Sequence, residues 1–324
     1  MKHFALAAAL TAGIMTLGTV DASAQQTLRL GHNISTSSPY HLASENFARL
    51  VQERSAGRIR VQVFPAGALG NERDMIEGAQ LGTIDMVVTS SAAVGPFVPA
   101  LRILDIPFLF RDPAHARSVL DGPIGAELLA AMPARNLVGL AWGDIGFRHI
   151  TANRQIRTVE DMRGLKLRAQ NNPIHLAAFR ALGAQPTVVG FNELYAALQT
   201  GVVDANEQPI SIHVASRFFE VQRHLTLTGH LVASAMFVIS PSVFGRLPAA
   251  DQEILRAAAR ESIPIMRNAA DEQDRAGLTT LRERNMTISE TFDGPAFLRA
   301  LEPAYAEFGR ELGEANIRRI REAR

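Results

Sequence analysis

Two hydrophobic periodicities alternate along this chain. Leu28 and Leu30 flank Arg29 at a spacing of two within Thr27–Asn33, which predicts a strand ending at His32 and Asn33. Ser35–Ser38 reads as a polar turn. Pro39 then opens a helix with Ala43, Phe47, Leu50 and Val51 on one face, closed by Gly57. Ile59, Val61 and Val63 return to period two across Arg58–Phe64. A helix follows over Gly70–Leu81, stopped by Gly82. A buried strand over Ile84–Thr89 runs into Ser90 and Ser91. This order of strands and helices calls for a parallel sheet with helices on both faces.

Pro96, Pro99 and Pro107 punctuate a loop-rich crossing, and helices are expected at about 113–120 and 123–135. Leu137–Trp142 reads as a buried strand and Gly143–Arg148 as a change of lobe. Leu165 and Leu167 alternate with Lys166 and Arg168, a short strand. Asn172 followed by Pro173 is a helix start, a capping side chain and then proline at the first helical position. Gln80-Leu-Gly-Thr-Ile-Asp85 and Gln199-Thr-Gly-Val-Val-Asp204 repeat a pattern of helix end, glycine stop and strand entry. They fit two α/β lobes built on similar plans and facing one another. Leu231–Ser240 suits a strand passing back to the first lobe. Pro248 opens a long helix with Ile254, Leu255, Ala258, Ile263, Met266 and Ala270 on its apolar side. A last helix is expected over 295–322, with Phe297, Leu298, Leu301, Tyr305, Phe308 and Leu312 facing the core.

Composition narrows the class. Met1-Lys2-His3, an apolar run from Phe4 to Val20 and Ala22-Ser23-Ala24 together read as a cleavable secretory signal over residues 1–24. The remaining length suffices for two lobes with cores of their own. There is no cysteine, so disulfides, thiolate chemistry and Cys-based zinc sites are excluded. A net charge of +1 gives no sign of a nucleic-acid or membrane-surface binder.

Candidate chemistry concentrates at Arg168, where a strand gives way to a helix start. Backbone N–H groups there favour an anion, and a guanidinium can grip a carboxylate through two parallel hydrogen bonds. Arginine supplies nearly all the positive charge, since Lys2 and Lys166 are the lysines of the chain. His32, Asn33, Ser90 and Ser91 fall at strand ends, where ligands of parallel sheets bind, and Glu72 falls near a helix start. The sequence carries no Gly-x-Ser-x-Gly elbow, His-Glu-x-x-His or phosphate loop, and its nine histidines are scattered. That pattern favours a binder over an enzyme, with no cofactor and no metal.

Several segments carry a resemblance. They are Phe-Pro-Ala-Gly-Ala-Leu-Gly at 64–70, Gly-Thr-Ile-Asp at 82–85, Asp-Ile-Pro-Phe-Leu-Phe at 105–110, Gly-Phe-Arg at 146–148, Asp161–Arg168 and Phe191–Pro209. In this order the chain resembles the solute receptors of tripartite ATP-independent periplasmic (TRAP) transporters. The resemblance implies a two-lobe periplasmic binding protein fold, each lobe a mostly parallel sheet flanked by helices, with a long helix bridging the lobes. Lobe I would hold 25–145 and 234–275, lobe II 146–233 and 276–324.

By the same resemblance Arg168 matches the arginine that pairs with the solute carboxylate. Arg148 matches a second arginine lining the cleft, Asn171 a polar residue after the anchor, and Phe191 an aromatic that packs on solute. Glu72, Asn33 and Ser90 match first-lobe contacts, with His32, Tyr40, His41 and Trp142 as looser candidates. Gln208 departs from the pattern, standing where many members carry asparagine. Ser90 stands where some members binding amino-sugar acids are acidic, which argues against a cationic amine. The implied solute is an organic acid: a uronate or aldonate first, then a C4-dicarboxylate or 2-oxo acid. The implied partners are the small and large membrane subunits of a TRAP transporter, with a monomeric receptor in the periplasm. A periplasmic hydrolase of small carboxylated substrates and a ligand sensor for a signalling partner are the alternatives. Turnover against stoichiometric stabilisation separates the hydrolase from the receptor.

Overall fold

The computed structural model describes residues 25–323, so the signal expected over 1–24 lies outside the described residues. Among the described residues nine strands form one sheet: β1 (Gln26–Gly31), β2 (Ile59–Phe64), β3 (Met86–Ser90), β4 (Val138–Ala152), β5 (Lys166–Ala169), β6 (Gln185–Val188), β7 (Ala205–Gln208), β8 (His224–Ile239) and β9 (Thr287–Ser289). Their order is β2-β1-β3-β8-β4-β7-β5-β6, with β9 pairing on β8. β1 and β2 run parallel with Leu28 opposite Val61, and their alternation turns Leu28, Leu30, Ile59 and Val61 into the core.

The sheet has two halves with one plan. In each, a parallel triplet (β2-β1-β3 or β6-β5-β7) meets two antiparallel strands supplied by β4 and β8. The start of β4 pairs with the end of β8, Val138 opposite Ile239. The end of β4 pairs with the start of β8, Ala152 opposite His224. Both strands therefore run through both halves. The register breaks at Asp144/Phe147 and again at Arg148/Ile150. Gly146 (φ 92) and Gly229 (φ 52) sit at this waist in backbone conformations that favour glycine. The change of lobe expected at Gly143–Arg148 thus lies inside a 15-residue strand, whose ladder continues past the glycines. The strand expected at Leu231 begins at His224 for the same reason.

The repeated hexapeptides do the same job in each half. Gly82 (φ 78) and Gly201 (φ 72) turn the chain out of a helix. The Asp85 carboxylate then accepts from the Arg29 N–H at 2.8 Å, and that of Asp204 from the Lys166 N–H at 3.3 Å. Each aspartate ties the entry of one strand to the backbone of a neighbouring strand, in the second half of β1 for Asp85 and at the start of β5 for Asp204.

Helix Ala249–Glu283, 35 residues long, bridges the halves. Its Leu255, Ala258, Ile263 and Met266 are buried in a core that includes Phe47 and Phe237, whose rings lie 5.1 Å apart. Further along, Gly277 packs so closely that a Cβ there would lie 2.6 Å from Ile210 Cγ2, in a helix that follows β7. The last helix, expected as one piece, is two, Gly294–Leu312 and Glu314–Glu322. Gly313, at φ 86, breaks it. Phe297, Leu301 and Phe308 are buried as expected, whereas Leu298 is an exposed apolar side chain. The helix expected to reach residue 135 ends at Ala130, and Pro133, which lacks an N–H, opens a separate single turn.

Candidate functional site

Asn172 organises the site's lower edge. Its side-chain oxygen accepts from Ile174 N–H at 2.9 Å and caps helix Pro173–Ala181. Its amide Nδ2 faces the other half, donating to Ala92 O at 3.1 Å and to Asp105 Oδ2 at 2.8 Å. Asp105 is also held by the Ser91 hydroxyl at 2.8 Å, at the end of β3. Burial pushes the Asp105 carboxyl up to about 7 against the pull of these two hydrogen bonds. More contacts join the halves. Gln170 Nε2 donates to Ser90 Oγ at 3.0 Å, and Asn71 Nδ2 donates to Glu193 Oε1 at 3.2 Å. Gly67 abuts Asn192 so closely that an added Cβ would lie 2.4 Å from its Nδ2. The halves are closed on one another.

Between them lies a cavity of about 370 Å³. Of the residues expected at the site, Arg168, Glu72, Asn171 and Phe191 line it. Gln170, Phe97, Asp74 and Glu193 line it too and were not expected. Arg168, at the end of β5, is 2% exposed. Its Nε donates to Val189 O at 2.9 Å, while Nη1 is buried and has no partner in the protein. Burial holds its pKa down to about 10, with Arg148 adding to the shift and Glu207, Glu72 and Glu193 opposing it. The group is a desolvated cation with an unused donor, and such a donor is costly until an acceptor arrives.

Arg148 is close by but is not a second free guanidinium. It forms a bidentate pair with Glu207, with Nη2 to Oε1 at 2.9 Å, and Nη2 also reaches Glu207 O at 2.7 Å. Burial would raise the Glu207 carboxyl, yet Arg148 overcomes this and holds it well below the usual carboxylate range. His230 Nε2 lies 3.6 Å from Glu207 Oε2. Arg148 and Glu207 therefore cancel beneath Arg168.

The other expected residues are placed around this centre. Ser90 touches it through Gln170 and Glu72. Gln208 is buried at the end of β7, opposite His149. His32 is fully buried with Nε2 3.2 Å from His41 Nδ1, and burial together with His41 lowers its pKa to about 4. Asn33 is buried with its Oδ1 unpartnered. None of these last three lines the cavity. Among the described residues no group of three or more His, Cys, Asp or Glu is arranged to hold a metal ion. Three contributors that sequence reasoning missed lay inside quoted segments: Asp105 opens Asp-Ile-Pro-Phe-Leu-Phe, and Glu193 and Glu207 lie within Phe191–Pro209.

A family model described as bacterial extracellular solute-binding protein, family 7, matches residues 30–311. The chain belongs to this family. A solute-binding protein of Verminephrobacter eiseniae is 43% identical over 305 residues, 93% of this chain and 90% of that protein. A TRAP periplasmic solute-binding protein from a Polaromonas species, bound to D-erythronate, has a TM-score of 0.91 at 41% identity, covering 93% of this chain and 99% of the other. Another from a Bordetella species, with ligand density interpreted as pantoate, has a TM-score of 0.90 at 41% identity, covering 93% and 100%. The two-lobe TRAP receptor fold is thus the fold of this chain. The nine-stranded sheet is how its lobes are joined, and the cavity at Arg168 is the cleft between them.

Proposed function

We propose that this TRAP receptor captures a small hydroxylated organic acid in the closed cleft, with the Arg168 guanidinium as the carboxylate anchor, and passes it to two membrane subunits. The unpartnered Nη1 of buried Arg168 in an inter-lobe cavity carries this reading. A carboxylate supplies the missing acceptor and the missing counter-charge together. D-erythronate in the Polaromonas protein is a ligand of this chemistry, and it supports a sugar acid ahead of a plain dicarboxylate.

The receptor acts as a binder rather than a catalyst, exported by the leader expected over residues 1–24 and working as a monomer in the periplasm. Lobe I comprises 25–145 and 234–275, lobe II 146–233 and 276–324, and they swing about the waist at Gly146 and Gly229. Solute joins the lobes from within, and the closed shape is what the membrane subunits read. Micromolar affinity corresponds to about −8 kcal/mol, and a hydrogen bond to a charged group supplies about 1.5–3 kcal/mol of it. Leaving a buried carboxylate without its partner costs about 3–5 kcal/mol. Calorimetry should therefore show Arg168→Ala binding D-erythronate at least about 100-fold more weakly than the parent, with an unchanged circular dichroism spectrum. Parental affinity in that variant overturns the assignment.

A further inference from the structure

The cleft's hydrogen-bond inventory selects among organic acids. Ser90 Oγ is fully used. It accepts from Ala93 N–H at 3.2 Å and from Gln170 Nε2 at 3.0 Å, and its one proton points to Glu72 Oε1 at 3.4 Å. A hydroxyl has one donor and two acceptor positions, so Ser90 has nothing left for a solute. This chain also orients the Gln170 amide. With Nε2 committed to Ser90, Oε1 is buried without a partner on a residue that lines the cavity and is 8% exposed. Glu72 receives both its hydrogen bonds, from Ser90 and from Thr89 at 2.9 Å, on Oε1, which leaves Oε2 open.

Among the residues lining the cleft, the buried polar atoms without a partner are therefore one donor, Arg168 Nη1, and two acceptors, Gln170 Oε1 and Asn71 Oδ1, and Glu72 Oε2 is a third open acceptor. Its charge is lopsided as well. Glu72, Asp74 and Glu193 line it, while Arg73 is drawn to Glu77 at 2.8 Å. A ligand matching this inventory has one carboxylate and, beyond it, hydroxyl protons. A second carboxylate would meet acceptors and like charge, with no further buried donor to receive it and only the exposed Arg73 and Asn171 side chains besides.

Resting on the receptor function proposed above, we infer that Gln170 and Glu72 are specificity-determining residues that read solute hydroxyl groups, and that the receptor selects polyhydroxylated monocarboxylates against dicarboxylates. Gln170 supplies a neutral acceptor that separates a hydroxyl donor from an ammonium, which would favour the carboxylates alone.

Calorimetry of the mature receptor with ligands of equal chain length tests this. D-erythronate, succinate and 4-aminobutyrate form a four-carbon set, and D-gluconate, D-glucarate and 6-aminohexanoate a six-carbon set. In at least one set the hydroxylated monoacid should bind at least about 100-fold more tightly than its diacid and its amino acid. Gln170→Leu should weaken the hydroxylated acid about tenfold. Glu72→Gln should narrow the monoacid-to-diacid ratio by about tenfold, chiefly by improving the diacid. A diacid or amino acid that equals the hydroxylated acid in the parent, or ratios that both variants leave unchanged, overturns the inference while leaving the receptor reading intact. If no acid of either set binds, or if Arg168→Ala binds as the parent does, the receptor reading fails and this inference with it. Melting temperatures of both variants near the parental value assign the changes to recognition rather than folding.

Discussion

Arg148 and Glu207, 59 residues apart in the chain, meet side by side in the interior, with Nη2 2.9 Å from Oε1 and both side chains almost wholly buried. Glu207 neutralises one of two neighbouring buried guanidinium groups and leaves the other, Arg168, the proposed carboxylate anchor, with an unpartnered Nη1. Glu207→Gln keeps the shape and removes the counter-charge. It should destabilise the fold by about 3–5 kcal/mol, the cost of stranding a buried charge. Urea denaturation measures this, and a loss below about 1 kcal/mol would count against the pairing.

Arg168→Lys keeps the positive charge and loses the planar fork. An ammonium at this site also loses the anchoring hydrogen bond that Nε makes to Val189 O. Affinity for a hydroxylated acid should fall about 10- to 100-fold, which titration calorimetry reads directly. Affinity within a factor of about two of the parent would mean that charge alone suffices.

Gly67 faces Asn192 across the cleft at φ 72 with no room for a methyl group. Gly67→Ala should hold the lobes apart. Solute affinity should fall by about tenfold or more, and the radius of gyration with ligand present should stay near the unliganded value. Asn192→Ala in the same chain removes the obstruction and should restore part of the affinity. The left-handed backbone strain, about 1–2 kcal/mol, remains in the double variant and appears as lower stability.

Asp105 gives the fold a pH dependence of unusual sign. Burial raises its carboxyl from 3.8 to about 7, so between these values the folded state holds a proton that the unfolded state has released. The stability this group contributes is full below about pH 4 and is lost as pH rises through about 7. Glu207, held low, acts oppositely: its contribution is present above its ordinary 4.5 and fades as pH falls below it. Asp105→Asn should flatten the stability profile between pH 5 and 8, measured by urea denaturation at each pH. A profile parallel to the parent's would exclude Asp105 as its source.

Much of this was legible from local chemistry. Asn172-Pro173 marked a helix start and the observed capping bonds form there; Gly82 and Gly201 marked two exits that both occur at positive φ. Arg168 could be singled out because a strand end followed by a helix start is a recognisable place for an anion. The continuity of β4 was hidden, because Gly143, Asp144 and Gly146 break the alternation a strand displays, and β8 alone supplies the pairing that carries it through. The roles of Gln170, Asp105 and Glu207 depend on partners at separations of 80, 67 and 59 residues. Ser90 shows the same limit from the other side, since its position at a strand end was readable but its hydroxyl is already spent inside the protein.

The passage of β4 and β8 through both lobes has a consequence for how the molecule can be divided. Each lobe borrows one end of both strands, so a single cut anywhere in the chain strands a borrowed piece on the wrong fragment. Neither half is a genetic module that could be excised, exchanged with a relative or expressed alone with its sheet complete, and exchange of one half between such receptors needs three junctions together, in β4, in β8 and in the bridging helix.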